Sequence, residues 1–419
     1  MFIKRRYWRL KSQFSNYSKN FWILILVTFV DRVGGAILFP FFTLYITSKF
    51  EVGMTTVGVL FGVFSITSLI GNTIGGALTD RLGRKSMLIF GLVMSATSSL
   101  WMGLVDDLQL FFFGAVVVGL FANVGGPAQQ AMVADLLPEE QRAEGFAILR
   151  ITANLAVAIG PAIGGFLAAI NYLYLFVTDA VTSTLVAIAI FFILPETAII
   201  LKGRKRESMA QTFGGYSKPL TDAFFLLFML ASTLMGIVYV QMNSTLAVYL
   251  RDIHSINERG FGWIMTLNAS MVVFLQYATT RRMRGHDDFK VMAAGTLLYA
   301  IGFSMYGFVS EYSMFLFAMV IITIGEMMIA PVTQATVARI APATMRGRYM
   351  AVYSYTWIVS GAIGPYLAGL VFDSPVIGAQ WIWYAAGLVG LVSTGLFLFL
   401  PVFESRKSAP QAVSADGLN

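Results

Sequence analysis

The sequence predicts an all-α integral membrane protein with twelve transmembrane helices arranged as two six-helix halves. Three observations predict it: the composition, the length of the apolar runs and a repeat at constant spacing. Of the 419 residues, 57% are hydrophobic and 12% are charged, against about 45–50% and about 25% in an ordinary soluble domain. So few charges cannot cover a soluble surface of that apolar content. A cytosolic enzyme, a disordered chain and a small disulfide scaffold are thereby excluded. The apolar residues come in runs that suit helices better than barrel strands.

Taken in order, the apolar helices fall at 21–48, 54–78, 86–105, 107–135, 142–170 and 173–194, and after a polar stretch at 221–250, 257–280, 288–310, 312–340, 346–373 and 378–402. Each is long enough to cross a ~30 Å hydrocarbon core at ~1.5 Å per residue. The first run is long and lacks an A-x-A-like end, so it reads as a span and not as a cleavable signal. The chain then divides into an N-terminal segment (1–20), a first half (21–196), a linker (197–220), a second half (221–402) and a tail (403–419).

An even number of spans puts both termini on one side, and the charges say which. Lys4, Arg5, Arg6, Arg9, Lys11 and Lys19 precede span one. Arg81, Arg84 and Lys85 follow span two, and Lys202, Arg204, Lys205, Arg206 and Lys218 lie in the linker. Arg281, Arg282, Arg284 and Lys290 follow span eight, and Arg346 and Arg348 follow span ten. The opposite side has only Lys49, Arg251 and Arg259. The positive-inside bias therefore predicts a multi-pass protein of the cell (cytoplasmic) membrane with both termini and the linker in the cytoplasm. Because the net charge of +7 is scattered over several loops, it does not indicate nucleic-acid binding.

The two halves share an internal repeat. Pro127 pairs with Pro331, Pro138 with Pro342, Arg142 with Arg346, and Gly160-Pro161 with Gly364-Pro365, all at the spacing that separates Pro127 from Pro331. Gln130/Gln334 and Gly165/Gly369 keep the same offset without a gap. Tandem six-helix halves with a substrate site at their interface are a known transporter architecture.

With no cysteine in the chain, disulfides, thiolate catalysis and Cys-based metal sites are excluded. The two histidines, His254 and His286, fall in connecting loops, so no histidine relays protons within the membrane. No metal and no cofactor is expected.

The loop after span two reads Gly76-Ala77-Leu78-Thr79-Asp80-Arg81-Leu82-Gly83-Arg84-Lys85, that is, G-x-x-x-D-R-x-G-R-K. Together with the twelve spans, the two halves and the basic linker, it resembles the signature loop of the major facilitator superfamily. The likeness covers essentially the whole chain. A carboxylate at a helix end can lock onto a neighbouring helix N-terminus or a basic group. The resemblance implies that Asp80, Arg84 and Asp135 form a charge relay holding the halves together in the outward-facing state, with Gly76, Arg81 and Gly83 completing the motif. The second half keeps the basic loop, Arg281-Arg282-Met283-Arg284-Gly285, without a matching Asp.

Gly160-Pro161-Ala162-Ile163-Gly164-Gly165 in span five resembles the G-P-x-x-G-G of the superfamily's drug:proton antiporters. Small residues let helices approach and proline bends them, so ordinary packing is the competing reading. Ala156 and Ala158 stand where that motif has glycines. A further departure is span four: Phe111 through Asp135 contains no Arg or Lys, whereas such antiporters commonly carry an arginine there.

Five charged residues lie well inside spans: Asp31, Arg32, Arg150, Asp179 and Glu326. Each costs at least ~2.5–3.5 kcal/mol on insertion scales unless paired or wet, so each is a functional candidate. Glu326, in Ile324-Gly325-Glu326-Met327-Met328-Ile329-Ala330-Pro331, lies near the midplane of span ten. A carboxyl in such surroundings binds a proton more readily than in water, and a cationic substrate can compete for it. The Gly-Glu followed by Pro is similar to span ten of LmrP/MdtH-type multidrug exporters, which implies a substrate and proton site; a structural partner for a cation is the alternative. Asp31 either works as a switch between Arg32 and Arg150 or belongs to a static ion-pair network. Asp179, near the outer end of span six, reads as structural.

Gln241, Asn243, Asn268 and Gln276 supply sparse polar groups to a cavity otherwise built from among 35 Phe, 21 Met and 7 Trp. A Met- and aromatic-rich pocket with few directed hydrogen bonds suits varied lipophilic compounds. The expectation is therefore a monomeric secondary transporter, not an enzyme, exporting lipophilic or cationic compounds against protons. Its partners are a small-molecule substrate, protons and the lipid bilayer. The alternative is a proton symporter importing a nutrient. An ATP-driven pump lacks support, since no G-x-x-x-x-G-K-[ST] occurs.

Overall fold

The structure is a computed structural model that describes residues 17–121, 124–197, 217–342 and 345–408. Its described residues form helices and connecting turns and contain no strand. In lipid a backbone must satisfy its own polar groups, and helices do so within each span. The linker core and both chain ends fall outside the described residues.

Helix α1 (Lys19–Leu38) starts at Ser18, whose hydroxyl accepts the Phe21 N–H at 3.2 Å. Pro40 has no N–H to continue it, so a 3-10 turn at Phe39–Phe41 intervenes before α2 (Phe42–Phe50) completes span one. Next come α3 (Met54–Leu82) and α4 (Arg84–Leu104). Span four is described as α5 (Leu108–Phe121) and α6 (Gly125–Leu136), on either side of residues 122–123, which lie outside the described residues. The first half closes with α7 (Glu139–Ala168) and α8 (Leu173–Ile193).

A short α9 (Ser217–Thr221) leads into α10 (Ala223–Ser244), whose first turn is capped by the Asp222 carboxylate. After a break at Thr245, α11 (Leu246–His254) finishes span seven. The remaining helices are α12 (Glu258–Met283), α13 (Asp288–Met305), α14 (Tyr312–Ile340), α15 (Arg346–Phe372) and α16 (Trp381–Ser408). The last runs past the expected tail boundary at 403. Among the described residues, eleven spans are long and apolar enough to cross a bilayer. The twelfth, α13, is shorter than its expected 288–310. Its 18 residues span about 27 Å, and Asp288 and Lys290 in its first turn dilute its hydropathy.

Each half has its own packing. Phe21, Leu24, Met87, Met132 and Ile190 interlock in the first. In the second, Trp383 stacks on Phe303 at 6.4 Å and meets Tyr306 edge-on at 5.2 Å. The halves meet along α3 against α15 and α7 against α12. At the second seam Gly262 comes so close to α7 that an added Cβ would lie 2.7 Å from the Pro161 carbonyl. That contact, and those of Met54 with Gly369, lie toward the end of the bundle away from the termini, here called the distal end. Phe192, Phe274 and Tyr277 are three-quarters exposed on the outer surface, where a bilayer supplies the apolar partner.

Candidate transport site

Between the halves lies a cavity of about 560 Å³, walled by both. Its polar wall includes Asp31, Arg32 and Asn154 from the first half and Tyr239, Asn268 and Glu326 from the second. Met242, Met265, Leu24 and Val27 supply apolar surface.

Glu326 sits one turn before Pro331 on α14. Its Oε1 accepts the Tyr239 hydroxyl at 3.0 Å and its Oε2 accepts the Asn268 amide at 2.8 Å. Asn268 is fixed in turn by Thr323 Oγ1 at 3.0 Å. Tyr239 is held by Tyr299, with ring centroids 5.8 Å apart and nearly parallel, and by the edge of Trp357. The carboxylate is therefore gripped by two neutral donors, and no lysine or arginine among the described residues pairs with it. Such a group has a free choice of positive partner, a proton or a cation.

In the first half Asp31 Oδ1 accepts the Ser183 hydroxyl at 3.0 Å. One turn earlier on α8, Asp179 is 5% exposed and takes the Ser99 hydroxyl on Oδ2. Both carboxylates line the cavity. Asp179 thus lines the cavity wall as well as tying Ser99 of α4 to α8, the structural contact that the sequence reading favours. Arg32 is exposed into the cavity. Arg150 is not brought to Asp31: it lies exposed, one turn nearer the termini end of α7 than Asn154, and it does not line the cavity. Of the two arginines expected around Asp31, only Arg32 shares the cavity wall with it.

Of the four expected amides, Asn243 and Asn268 face the cavity and Gln241 and Gln276 do not. Gln241 is 4% exposed; its amide donates to the Ile237 carbonyl and its oxygen accepts Thr245 Oγ1 at 2.7 Å, sealing the break between α10 and α11. Gln276 donates to Thr280 and to the Met327 carbonyl at 2.9 Å. Both amides satisfy nearby helix groups, as polar side chains in apolar surroundings must. Sequence reasoning missed Tyr239 and Gln129, which lines the cavity and donates to Thr28 at 2.8 Å.

The sequence profile of the Major Facilitator Superfamily matches residues 24–284 and again 242–416. The chain belongs to the major facilitator superfamily. It is 28% identical over 391 residues to the Na(+), Li(+), K(+)/H(+) antiporter of Planococcus maritimus, covering 87% of this chain and 91% of that one. It is 24% identical over 411 residues to the multidrug resistance protein MdtH of Salmonella newport, covering 97% and 99%. The crystal structure of a POT family transporter in complex with 5-aminolevulinic acid superposes with a TM-score of 0.77 at 16% identity, over 91% of this chain and 96% of that one; this likeness is one of fold. The protein is a membrane transporter, not an enzyme.

In this superfamily member the motif after span two closes a turn at the termini end. Gly83 has φ +95°, ψ 158°, a backbone region open essentially to glycine. The turn presents the Arg84 and Lys85 N–H groups to the Glu196 carboxylate at 2.9 and 3.1 Å. The Arg84 guanidinium reaches Asp135 at 3.1 Å, and Thr197 Oγ1 donates to the same carboxylate. Apart from Thr197, the first residue of the linker, all of these residues are in the first half, so these contacts do not join the two halves. Glu196 and Thr197, just past span six, were absent from the sequence reading. Gly76, Asp80 and Arg81 lie on α3, but the side chains of Asp80 and Arg81 are outside what the structure describes. Gly160 and Gly164 pack on Ala36 and Ile37 of α1, whereas Gly165 faces the Glu258 carbonyl of the other half.

Several hydrogen bonds between the halves of this superfamily transporter sit at the distal end. Arg251 reaches Ser48 at 2.6 Å, Thr47 at 3.1 Å and the Leu44 carbonyl at 3.3 Å. Tyr172 donates to Glu258 at 2.6 Å, and burial, aided by that carboxylate, holds its phenol above the usual range. The Asp373 carboxylate accepts two backbone N–H groups at the start of α3.

Proposed function

We propose that this transporter exports lipophilic or cationic compounds in exchange for protons, by alternating access, with both termini in the cytoplasm. The observation that carries the reading is Glu326: a mid-span carboxylate in the wall of the shared cavity, held by Tyr239 and Asn268 and by no basic group among the described residues. Proton and cationic cargo compete for that one negative charge, which is the requirement for obligatory exchange. The cavity's apolar wall, mostly aliphatic with Met242, Met265 and Phe39 and less rich in Met and aromatic residues than the sequence suggests, and the likeness to MdtH support a lipophilic cargo.

With the termini in the cytoplasm, the distal end faces outside, and its cross-half bonds close that face. Cargo then enters from the cytoplasmic side and settles against Glu326. Separation of the Arg251, Tyr172–Glu258 and Asp373 contacts opens the outer face, a proton on Glu326 displaces the cargo, and the return step delivers the proton inward.

Drug-dependent proton flux in proteoliposomes tests this reading. Glu326→Gln should abolish the flux and the drug tolerance that expression confers, and unchanged flux would reject Glu326 as the coupling site. The relative that is a Na(+), Li(+), K(+)/H(+) antiporter favours a second reading, monovalent-cation/proton exchange. Internal pH changes evoked by Na+, Li+ or K+ pulses without drug would select it. Uptake of a metabolite, with no effect of expression on drug tolerance, would instead select a symporter.

A further inference from the structure

Beside the central cavity, inside the first half, lies a second cavity of about 190 Å³. The two share Gly35, Phe39, Ser95 and Asp179 in their walls, so they adjoin at the Asp179 carboxylate. We propose that this side pocket binds the aromatic group of a lipophilic organic monocation, with the charged nitrogen at its mouth against Asp179. The proposal rests on the export reading above and specifies how one class of cargo is held.

The pocket's walls are aromatic. Phe39 and Phe42 meet Phe61 edge-to-face at 6.3 and 6.2 Å, Phe176 and Phe64 join them, and Leu38, Leu60, Met102, Ala115 and Val118 fill in between. A dry apolar cavity of about 150 Å³ takes one benzene, so a phenyl group with a short linker fits and a fused three-ring system does not. Phenylalanine faces also attract an adjacent cation through the ring quadrupole.

The mouth is negative. Asp179 Oδ2 is occupied by Ser99, while Oδ1 accepts no hydrogen bond among the described residues and faces Gly34 and Gly35. A Cβ added at Gly35 would lie 4.0 Å from Oδ1, so the glycine leaves that oxygen approachable from the wall both cavities share. Asp31, bonded one helical turn away through Ser183, adds a second negative charge. Arg32 lines the central cavity and is absent from the side pocket's wall. A second polar point awaits a partner inside: the Ser98 hydroxyl is buried, 7% exposed, and makes no hydrogen bond among the described residues. One carboxylate and a few hydroxyls among phenylalanines make a poor cage for a bare metal ion, which takes several oxygens, and a good one for an organic cation.

Equilibrium binding to the full-length purified protein, with benzyltrimethylammonium and tetramethylammonium as probes, tests the pocket. The benzyl compound should bind about tenfold more tightly. Ala115→Phe, which fills the pocket, should bring that ratio near one, and Asp179→Asn should weaken binding of the benzyl cation by about tenfold. Leu60→Ala, which enlarges the pocket, should raise the affinity of a naphthylmethyl cation relative to the benzyl one, and it keeps the test open if the filled variant does not fold. A benzyl preference that survives Ala115→Phe, or a naphthyl-to-benzyl ratio unmoved by Leu60→Ala, overturns the proposal; so does Na+ displacing the probe one-for-one with no benzyl preference. Benzyl-selective binding without proteoliposome transport of any lipophilic cation would retain the pocket and reject the export reading. Transport of such cations with no benzyl preference would do the reverse.

Discussion

Asp373, at the end of α15, caps the first turn of α3 in the other half: its carboxylate oxygens accept the Met54 and Thr55 N–H groups at 2.8 and 2.7 Å. A helix start offers unpaired donors and a partial positive charge, and the cap that fills this one comes from the opposite half. The contact exists only while the distal end is closed. It therefore ties a local hydrogen-bond requirement to the global conformation.

Removing the cap should open the distal end. Asp373→Ala costs the closed form about 1 kcal/mol, in the range of other N-cap losses, and so shifts the closed-to-open ratio roughly fivefold. Because the chain has no cysteine, two cysteines introduced across the distal seam report the change without background. Spin-label distances should lengthen in Asp373→Ala. An unchanged distance distribution would show that the cap does not hold the closed state.

Much of this architecture is legible in the sequence, for a physical reason. Spans must be apolar throughout and their charges must sit at the ends, so composition and charge bias mark the helices directly. Glu326 is conspicuous because a lone mid-span carboxylate is costly. Its partner Tyr239 is not, since phenols are frequent in apolar helices and only the fold shows which one donates. The amides mislead the other way: Gln241 and Gln276 look like cavity groups but are consumed by helix carbonyls and hydroxyls. Asp373 and Glu196 act on helix starts 319 and 112 residues away, and no local pattern announces such contacts.

The two donors on Glu326 should act as a unit. Tyr239→Phe and Asn268→Leu each remove one hydrogen bond to a carboxylate, worth about 1.5–3 kcal/mol when charged. Each should lower proton-coupled transport by tenfold or more. The double variant should lose less than the product of the single losses, because both groups serve the same carboxylate. Strict multiplicativity in the flux assay would mean that they act on separate steps.

At the termini end, the glycine of the turn should matter more than the ion pair beside it. Gly83→Ala forces a side chain into a backbone region that costs about 1–3 kcal/mol and directs its Cβ at the Glu196 carboxyl carbon, 2.9 Å away. Asp135→Asn weakens an ion pair with partly exposed partners, worth about 0–1 kcal/mol. Thermal unfolding in detergent should place the Gly83→Ala variant clearly below Asp135→Asn. The opposite order would give the ion pair the larger structural role.

Acidification should loosen the distal end through His254. Its ring lies between Tyr249 and Phe315, with centroids 5.1 and 4.8 Å away, and its Nε2 is buried without a partner among the described residues. Burial lowers the affinity of this imidazole for a proton below its ordinary value. The unfolded chain therefore binds the extra proton first as pH falls, and stability rises with pH across the ordinary imidazole range. What His254 contributes is present above that range and is lost below it. The melting temperature should accordingly fall by about a degree or two between pH 7.5 and 5.5. His254→Phe, which keeps the ring and removes the titration, should flatten that slope. A slope that His254→Phe leaves intact would show that His254 is not its source.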